Sequence, residues 1–344
     1  MTLLVRDEAD IVDAHLAFHL NAGVDLVLAT DHRSTDGTTE ILESYVRDGH
    51  VRLIREGGER ALQAEWVTRM ARQAATEHGA DWVLNSDADE FWWPRRGSLR
   101  DALAAVPVQC GVVHALQRTF VPRPEDGRSF AERMTVRLAA KAAINDPATP
   151  YRPVTKIAHR AHAGVVVGPG NHSVAGLPFA LHRGGNPLEV LHLPLRSREQ
   201  CARKYEKTWR AWDVNLRGDL AIAKAAWEQG RPESFYDRVV VDDEALARGM
   251  ADGSLVLDTR LRDVLRALDA GPDGFAPPPN PAAAGLRFEW PSFAEDVAHA
   301  AEVMCFLEAD LVRLQRRLDD VGRRLRDVQG RTGASAGPSG REAG

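Results

Sequence analysis

Short apolar runs alternate with longer amphipathic stretches along the N-terminal third of the chain. Residues 2–5 form an apolar run suited to a buried strand. Behind it Ile11, Leu16 and Leu20 share one helical stripe, and Gly23 supplies a stop. Residues 24–29, rich in Val and Leu, predict a second strand. A helix follows over 39–45, with Ser34, Thr35 and Asp36 as N-cap residues. Residues 51–54 predict a third strand, 60–77 a third helix and 82–84 a fourth strand. This alternation predicts an α/β class, with a mostly parallel central sheet covered on both faces.

Ligands bind such sheets beyond the carboxyl ends of the strands. Three of those ends carry polar clusters: Arg6-Asp7-Glu8, the stretch from Asp31 to Asp36, and Asp87-Ala88-Asp89-Glu90. Each alone is explained by caps and turns; three at one edge favour a site. On an extended chain residues two apart point to the same side, so Asp87 and Asp89 can reach one hard cation. Oxygen ligands suit Mg²⁺ or Mn²⁺, which neutralise a diphosphate. No Gly-x-Gly-x-x-Gly or Gly-x-x-x-x-Gly-Lys-Ser/Thr pattern is recognised, which argues against dinucleotide and NTP-hydrolysing folds.

Four segments together resemble a family: Arg6 to Ile11, His19 to Asp25, Asp31 to Thr38, and Asp81 to Leu84 with Asp87-Ala88-Asp89-Glu90-Phe91. They are similar to family 2-type glycosyltransferases, and to the bacterial branch similar to family 92. The resemblance spans roughly residues 1–215 and implies the GT-A fold, a Rossmann-like nucleotide-sugar domain. His32-Arg33 departs from the Asn-Gly or Asp-Gly usual in relatives. The resemblance implies that Asp31 accepts from the nucleobase imide, that Arg6 and Glu8 line the nucleoside pocket with Asp36 and Asp87 nearby, and that Asp87 and Asp89 hold the metal.

A second segment is rich in His, Arg and Lys. Lys156, His159, His162 and His172 lie in strand-like pieces split by Gly and Pro, and His192 and Arg196 follow another apolar run. Lys156, His172, His192 and Arg196 match residues that recur in this order in the resembled branch. His192 stands where a histidine completes the metal shell in GT-A enzymes, and neutral imidazole suits Mn²⁺. Lys156, Arg196 and Lys204 are candidate diphosphate ligands; Arg196 and Lys204 are equally read as solvated charges. His159 and His162 are read as buried hydrogen-bonding groups. The proton acceptor stays open among Glu90, Asp146, Glu189 and His172, with Glu90 and His172 carried as catalytic candidates. One of Trp92 and Trp93 is expected to stack on a sugar, and Phe91 to be core.

Composition narrows the setting. The 344 residues are 44% hydrophobic and 27% charged, with net charge −5, so no basic field draws nucleic acid or an anionic membrane. Cys110, Cys201 and Cys305 are scattered, as in a reduced cytoplasmic protein. No apolar run reaches the roughly 20 residues of a membrane helix, and the first residues lack the pattern of a signal peptide.

The C-terminal third differs. Residues 216–270 predict accessory helices, 271–292 a Pro- and Gly-rich linker and 330–344 a disordered tail. Over 293–329 Val297, Ala300, Met304, Leu307, Leu311, Leu314, Leu318, Val321, Leu325 and Val328 form a heptad seam, the pattern of a coiled coil and of a homodimer, with packing on the parent domain as the alternative. The sequence thus predicts a metal-dependent, inverting glycosyltransferase using Mn²⁺ or Mg²⁺, a nucleotide-sugar donor of UDP type and a glycan or small-molecule acceptor. Its rivals are a nucleotidyltransferase of like fold and a non-catalytic sugar-binding scaffold.

Overall fold

The apolar runs become four parallel strands of a mixed sheet. A computed structural model of the chain describes residues 1–59, 61–139, 155–182, 187–211, 219–269, 275, 285–289, 295, 297–304, 315 and 318–326. Strands β1 (Thr2–Val5), β2 (Val27–Asp31), β3 (Val51–Arg55) and β4 (Trp82–Asp87) pair in parallel in the order β3-β2-β1-β4. Helices α1 (Val12–Asn21), α2 (Thr38–Arg47) and α3 (Gln63–Thr76) connect them. All of α1 except Asp13 is buried, because it packs on α2, on the sheet and on the helix Arg260–Leu268. Its predicted stripe is therefore only part of its buried surface. Each fully buried Leu or Phe there contributes about 2 kcal/mol of apolar burial.

The acidic motif sits inside this architecture rather than after it. β4 runs on to Asp87, and β5 (Glu90–Pro94) begins after an interval of two residues. After α4 (Leu99–Ala104) come β6 (Cys110–Thr119), α5 (Phe130–Arg133), β7 (Val136–Leu138) and β8 (Thr155–Arg160). Then follow β9 (Val166–Val167), β10 (Val174–Ala175), β11 (Ala180–Leu181) and β12 (Leu188–His192). The sheet continues past β4 as β8-β6-β12-β5. β8 is antiparallel to both neighbours, β12 is parallel to β6, and β5 is antiparallel to β12.

Three strands thus separate β4 from β5, although only Ala88 and Asp89 link them. On a flat sheet the two would lie about 19 Å apart at about 4.8 Å per strand. Three residue steps reach only about 11 Å. The sheet must curl, and its inward side chains from β5, β6, β8 and β12 converge.

β5 carries a correction. Phe91 and Trp92 are fully buried and Trp93 is 7% exposed, so neither tryptophan offers a face to a sugar. Trp93 packs instead on Phe18 and Phe288. Phe288 belongs to the segment 285–289, whose backbone pairs with Gly97 and which is tied to Asn21 by the Leu286 amide. The predicted tail, most of the linker, Asp146, Cys305 and the seam positions Leu307, Leu311, Leu314 and Val328 lie outside the described residues. No helix among the described residues is long and apolar enough to cross a membrane.

His159 on β8 is fully buried, as expected, and its Nδ1 meets the Arg160 carbonyl. Burial pulls its pKa down to about 4. The unfolded chain therefore binds the proton first as pH falls below the ordinary histidine value. Its stabilising contribution is full above pH 6.5 and lost below it, by about 2 kcal/mol at pH 5. Thermal melts of wild type and His159→Leu between pH 8 and pH 5 check this. The acid-side fall should be shallower in the variant; parallel curves would refute it.

Candidate active site

The carboxyl ends of β1, β2 and β4 open onto a cavity of about 440 Å³. Arg6, Asp7 and Glu8 after β1, His32 after β2 and the run Asp87-Ala88-Asp89-Glu90 line it. Gln117 from β6, Lys156 from β8, His192 from β12, and Gln200, Arg203 and Lys204 from the helix Arg198–Ala211 complete much of the wall, with Gly170 and His172 at one side.

The acidic turn sends its carboxylates in different directions. Asp87 ends β4, accepts from Lys156 Nζ at 2.9 Å and from Asn171 Nδ2 at 3.3 Å. Asp89 lies in the turn, where strand alternation no longer applies, and accepts from Lys204 Nζ at 2.7 Å. Glu90 starts β5 and is 1% exposed. It meets Lys156 Nζ at 2.8 Å and accepts from Gln117 Nε2 at 3.0 Å. Burial drives Glu90 up to about 8, against the pull of Lys156 and with the push of Asp87 and Asp89. Burial opposes ionisation of Asp89 too, but Lys204, His192 and Arg196 hold it well below the usual carboxylate range. Asp87 and Glu90 hold Lys156 charged against burial, and Asp89 does the same for Lys204.

Ligand atoms of Asp89, Glu90 and His192 lie within 4.8 Å of one another. Two carboxylates and an imidazole fit Mn²⁺ or Mg²⁺. His192 Nε2 stands 3.7 Å from Asp89, and burial keeps the ring neutral, as a ligand must be. Its buried Nδ1 makes no hydrogen bond to the described residues. The geometry groups Glu90, rather than Asp87, with Asp89 and His192; the Asp87 carboxylate meets Lys156 and Asn171.

Beneath the turn, the Trp92 backbone N–H donates to His19 Nε2 at 3.0 Å, so His19 carries its proton on Nδ1 and donates to the His15 carbonyl at 2.8 Å. His15 Nε2 meets Ser86 Oγ at 3.1 Å. These contacts tie the acidic turn to α1.

His172 lies at the cavity wall. Its Nδ1 is 3.0 Å from the Thr155 carbonyl, which can only accept, so Nδ1 holds the proton and Nε2 is left as the basic nitrogen. Burial lowers its pKa, so it is neutral near pH 7. Gly170, at φ 68°, makes room: a Cβ there would come within 2.8 Å of His172 Nε2.

The remaining predicted residues take structural posts. Asp31 is buried; it accepts from the Ser34 amide at 3.1 Å and from Thr39 Oγ1 at 2.5 Å. Asp36 accepts from the Ala9 and Thr38 amides and from Thr38 Oγ1. Burial works to raise Asp36, but these bonds lower it. Arg196 is 1% exposed and bonds Asp10 at 2.7 and 2.8 Å and Glu8 at 2.5 Å. Asp31, Asp36 and Arg196 are absent from the described lining of the cavity. Burial still raises Glu8 to about 7, despite Arg196. Glu189 lies on the face of β12 opposite His192, between Arg118 and Arg260, and is turned from the cavity. Gln117 went unnoticed in the sequence; its signal was an amide directly after the stretch 110–116, which is apolar but for His114.

No protein-family model matches the chain, and no curated protein matches it. Among solved structures, residues 1–349 of S. aureus TarS, a glycosyltransferase, are 12% identical over 73% of this chain and 71% of that one, with a TM-score of 0.32. The same fragment in complex with UDP gives the same identity, coverage and score. A structure titled only as a mycobacterial protein is 17% identical over 61% of this chain and 73% of that one, with a TM-score of 0.26. At such scores the fold description rests on the sheet itself.

Asp31→Asn separates two roles. As a turn anchor Asp31 gives up one charged acceptor, and urea unfolding should show a loss of about 1 kcal/mol. Calorimetry of UDP should show unchanged affinity; weakened binding with unchanged stability would instead make Asp31 a base reader.

Proposed function

We propose that the protein is a metal-dependent glycosyltransferase that moves a sugar from a nucleotide-sugar donor of UDP type to a hydroxyl of a glycan or small molecule. The observation that carries the proposal is the convergence of Asp89, Glu90, His192, Lys156 and Lys204 at the carboxyl edge of the parallel strands, with neutral His172 on the same wall. The resemblance of the four N-terminal segments supplies the reaction class.

Asp89, Glu90 and His192 would hold a divalent cation, whose chemistry is to neutralise the departing diphosphate. Lys156 and Lys204 add fixed positive charge beside it. His172 Nε2 takes the proton of the acceptor hydroxyl as that oxygen bonds the anomeric carbon. The bond from that carbon to the diphosphate oxygen breaks with its electron pair. A single displacement of this kind inverts the anomeric centre. Glu90 serves as a metal ligand in this scheme, since its carboxylate lies with Asp89 and His192.

Two variants test the scheme. Asp89→Ala should abolish transfer and the Mn²⁺-dependent part of UDP binding in calorimetry, with His192→Ala losing less because water can replace one neutral ligand. Full activity in Asp89→Ala and in EDTA-treated wild type would sink the metal role.

His172→Asn should lower kcat by about 10²–10⁴-fold with the donor KM little changed. An unchanged kcat would move the base to another residue, with Glu90→Gln the next variant to measure.

A further inference from the structure

Two histidines of α1, one helical turn apart, hold the two sides of the acidic turn. His15 and His19 are fully buried, with ring centroids 4.1 Å apart. His19 holds the β5 side through the Trp92 amide. His15 holds the β4 side through Ser86, which is 1% exposed and directly precedes Asp87. Ser86 Oγ lies 3.1 Å from the Asp87 carbonyl and 3.2 Å from the Glu90 carbonyl. Carbonyls only accept, so the one hydroxyl proton points to them and Oγ accepts from His15 Nε2. Burial drives the His15 pKa down to about 3, against the pull of Asp89, Asp87 and the Glu90 carbonyl, so the neutral ring keeps that single N–H. Its buried Nδ1 makes no hydrogen bond among the described residues. A leucine would fill much the same space without an unpartnered nitrogen, so packing alone does not account for an imidazole here.

The third carbonyl of the turn is held as well: Asp89 accepts from the Leu193 amide at 2.9 Å. The backbone of Asp87, Asp89 and Glu90 is therefore fixed at every carbonyl, twice by one hydroxyl. This opposes the repulsion of Glu90 by Asp87 and Asp89, which acts to spread the turn. We infer that Ser86 and His15 are positioning residues for the cation. The hydroxyl ties together the two ends of the link Ala88–Asp89, and the imidazole fixes the direction of the hydroxyl, so the Asp89 and Glu90 carboxylates stay grouped with His192. The inference rests on the metal reading of that group. Removing a group that holds metal ligands in place typically weakens the metal about 10–100-fold. A matched control lies one residue away: Thr2 Oγ1 donates to Asn85 Oδ1 at 2.9 Å, a buried bond between β1 and β4 that does not touch the turn.

Mn²⁺ titrations followed by electron paramagnetic resonance, with and without UDP, test the inference on wild type, Ser86→Ala, His15→Leu, their double variant and Thr2→Val. Ser86→Ala and His15→Leu should each weaken Mn²⁺ about tenfold. The double variant should lose little more than the stronger single, because both act through one chain of bonds. Thr2→Val should lose stability to urea and keep the wild-type Mn²⁺ affinity. A Ser86→Ala protein that loses stability yet binds Mn²⁺ as wild type does overturns the positioning role, as does an equal loss of affinity in Thr2→Val. Fully additive losses overturn the link through His15. Ser86→Ala removes a single oxygen, so its comparison with Thr2→Val decides the matter even where His15→Leu does not fold. A wild type that binds no Mn²⁺ in either condition overturns the metal reading itself, and the positioning role with it.

Discussion

Everything at the site depends on the shortness of the link between β4 and β5. Two residues join strands that the sheet order holds three strands apart, so the sheet has to close on itself. Closure brings Glu90, Gln117, Lys156 and His192 to one place from four different strands. It also forces carboxylates into a poorly solvated space, where they persist only because Lys156 and Lys204 neutralise them. The two lysines are structural and chemical at once: they make the acidic turn tolerable, and they would meet a diphosphate with charge already in place.

The loops after β1 and β2 follow a second logic. Asp7 adopts φ 55° and accepts from the Thr35 amide and hydroxyl, while Ser34 Oγ and Thr38 Oγ1 accept from the Asp7 and Glu8 amides. An aspartate tolerates that left-handed backbone better than most residues. These bonds stitch neighbouring loops together, so Arg6, Glu8 and His32 reach the cavity from a firm rim. Of the acidic residues of the second loop, Asp36 joins this stitching through the Ala9 amide, and Asp31 is consumed within its own segment by Ser34 and Thr39.

The α/β class and the first four strands were legible because buried parallel strands read as short apolar runs between amphipathic helices. Asp87, Asp89 and Glu90 were legible as chemistry at a strand end, and Lys156, His172, His192 and Lys204 as candidates in a basic segment; all line the cavity. Their grouping was not legible. Same-side geometry for Asp87 and Asp89 assumes an extended chain, and the chain turns at Ala88. β5 was hidden because Phe91-Trp92-Trp93 looks alike as core or as binding platform. Arg196 looked like a phosphate ligand, but its partners Asp10 and Glu8 lie far away in sequence. The hold of Arg118 on His299 and Glu302, in the helical stretch 297–304, had no local signature at all.

β6 places Gln117 and Arg118 on opposite faces of one strand. Gln117 shares its face with His192 and donates to Glu90, and Arg118 shares its face with Glu189 and grips the C-terminal helix. A single peptide bond therefore separates the wall of the cavity from the seat of the helix. A slip of one residue in the pairing of β6 would thrust a guanidinium into the cavity and leave an amide under the helix. The strand's alignment is thus enforced twice, from two unrelated sides, and an insertion anywhere along it would break both at once.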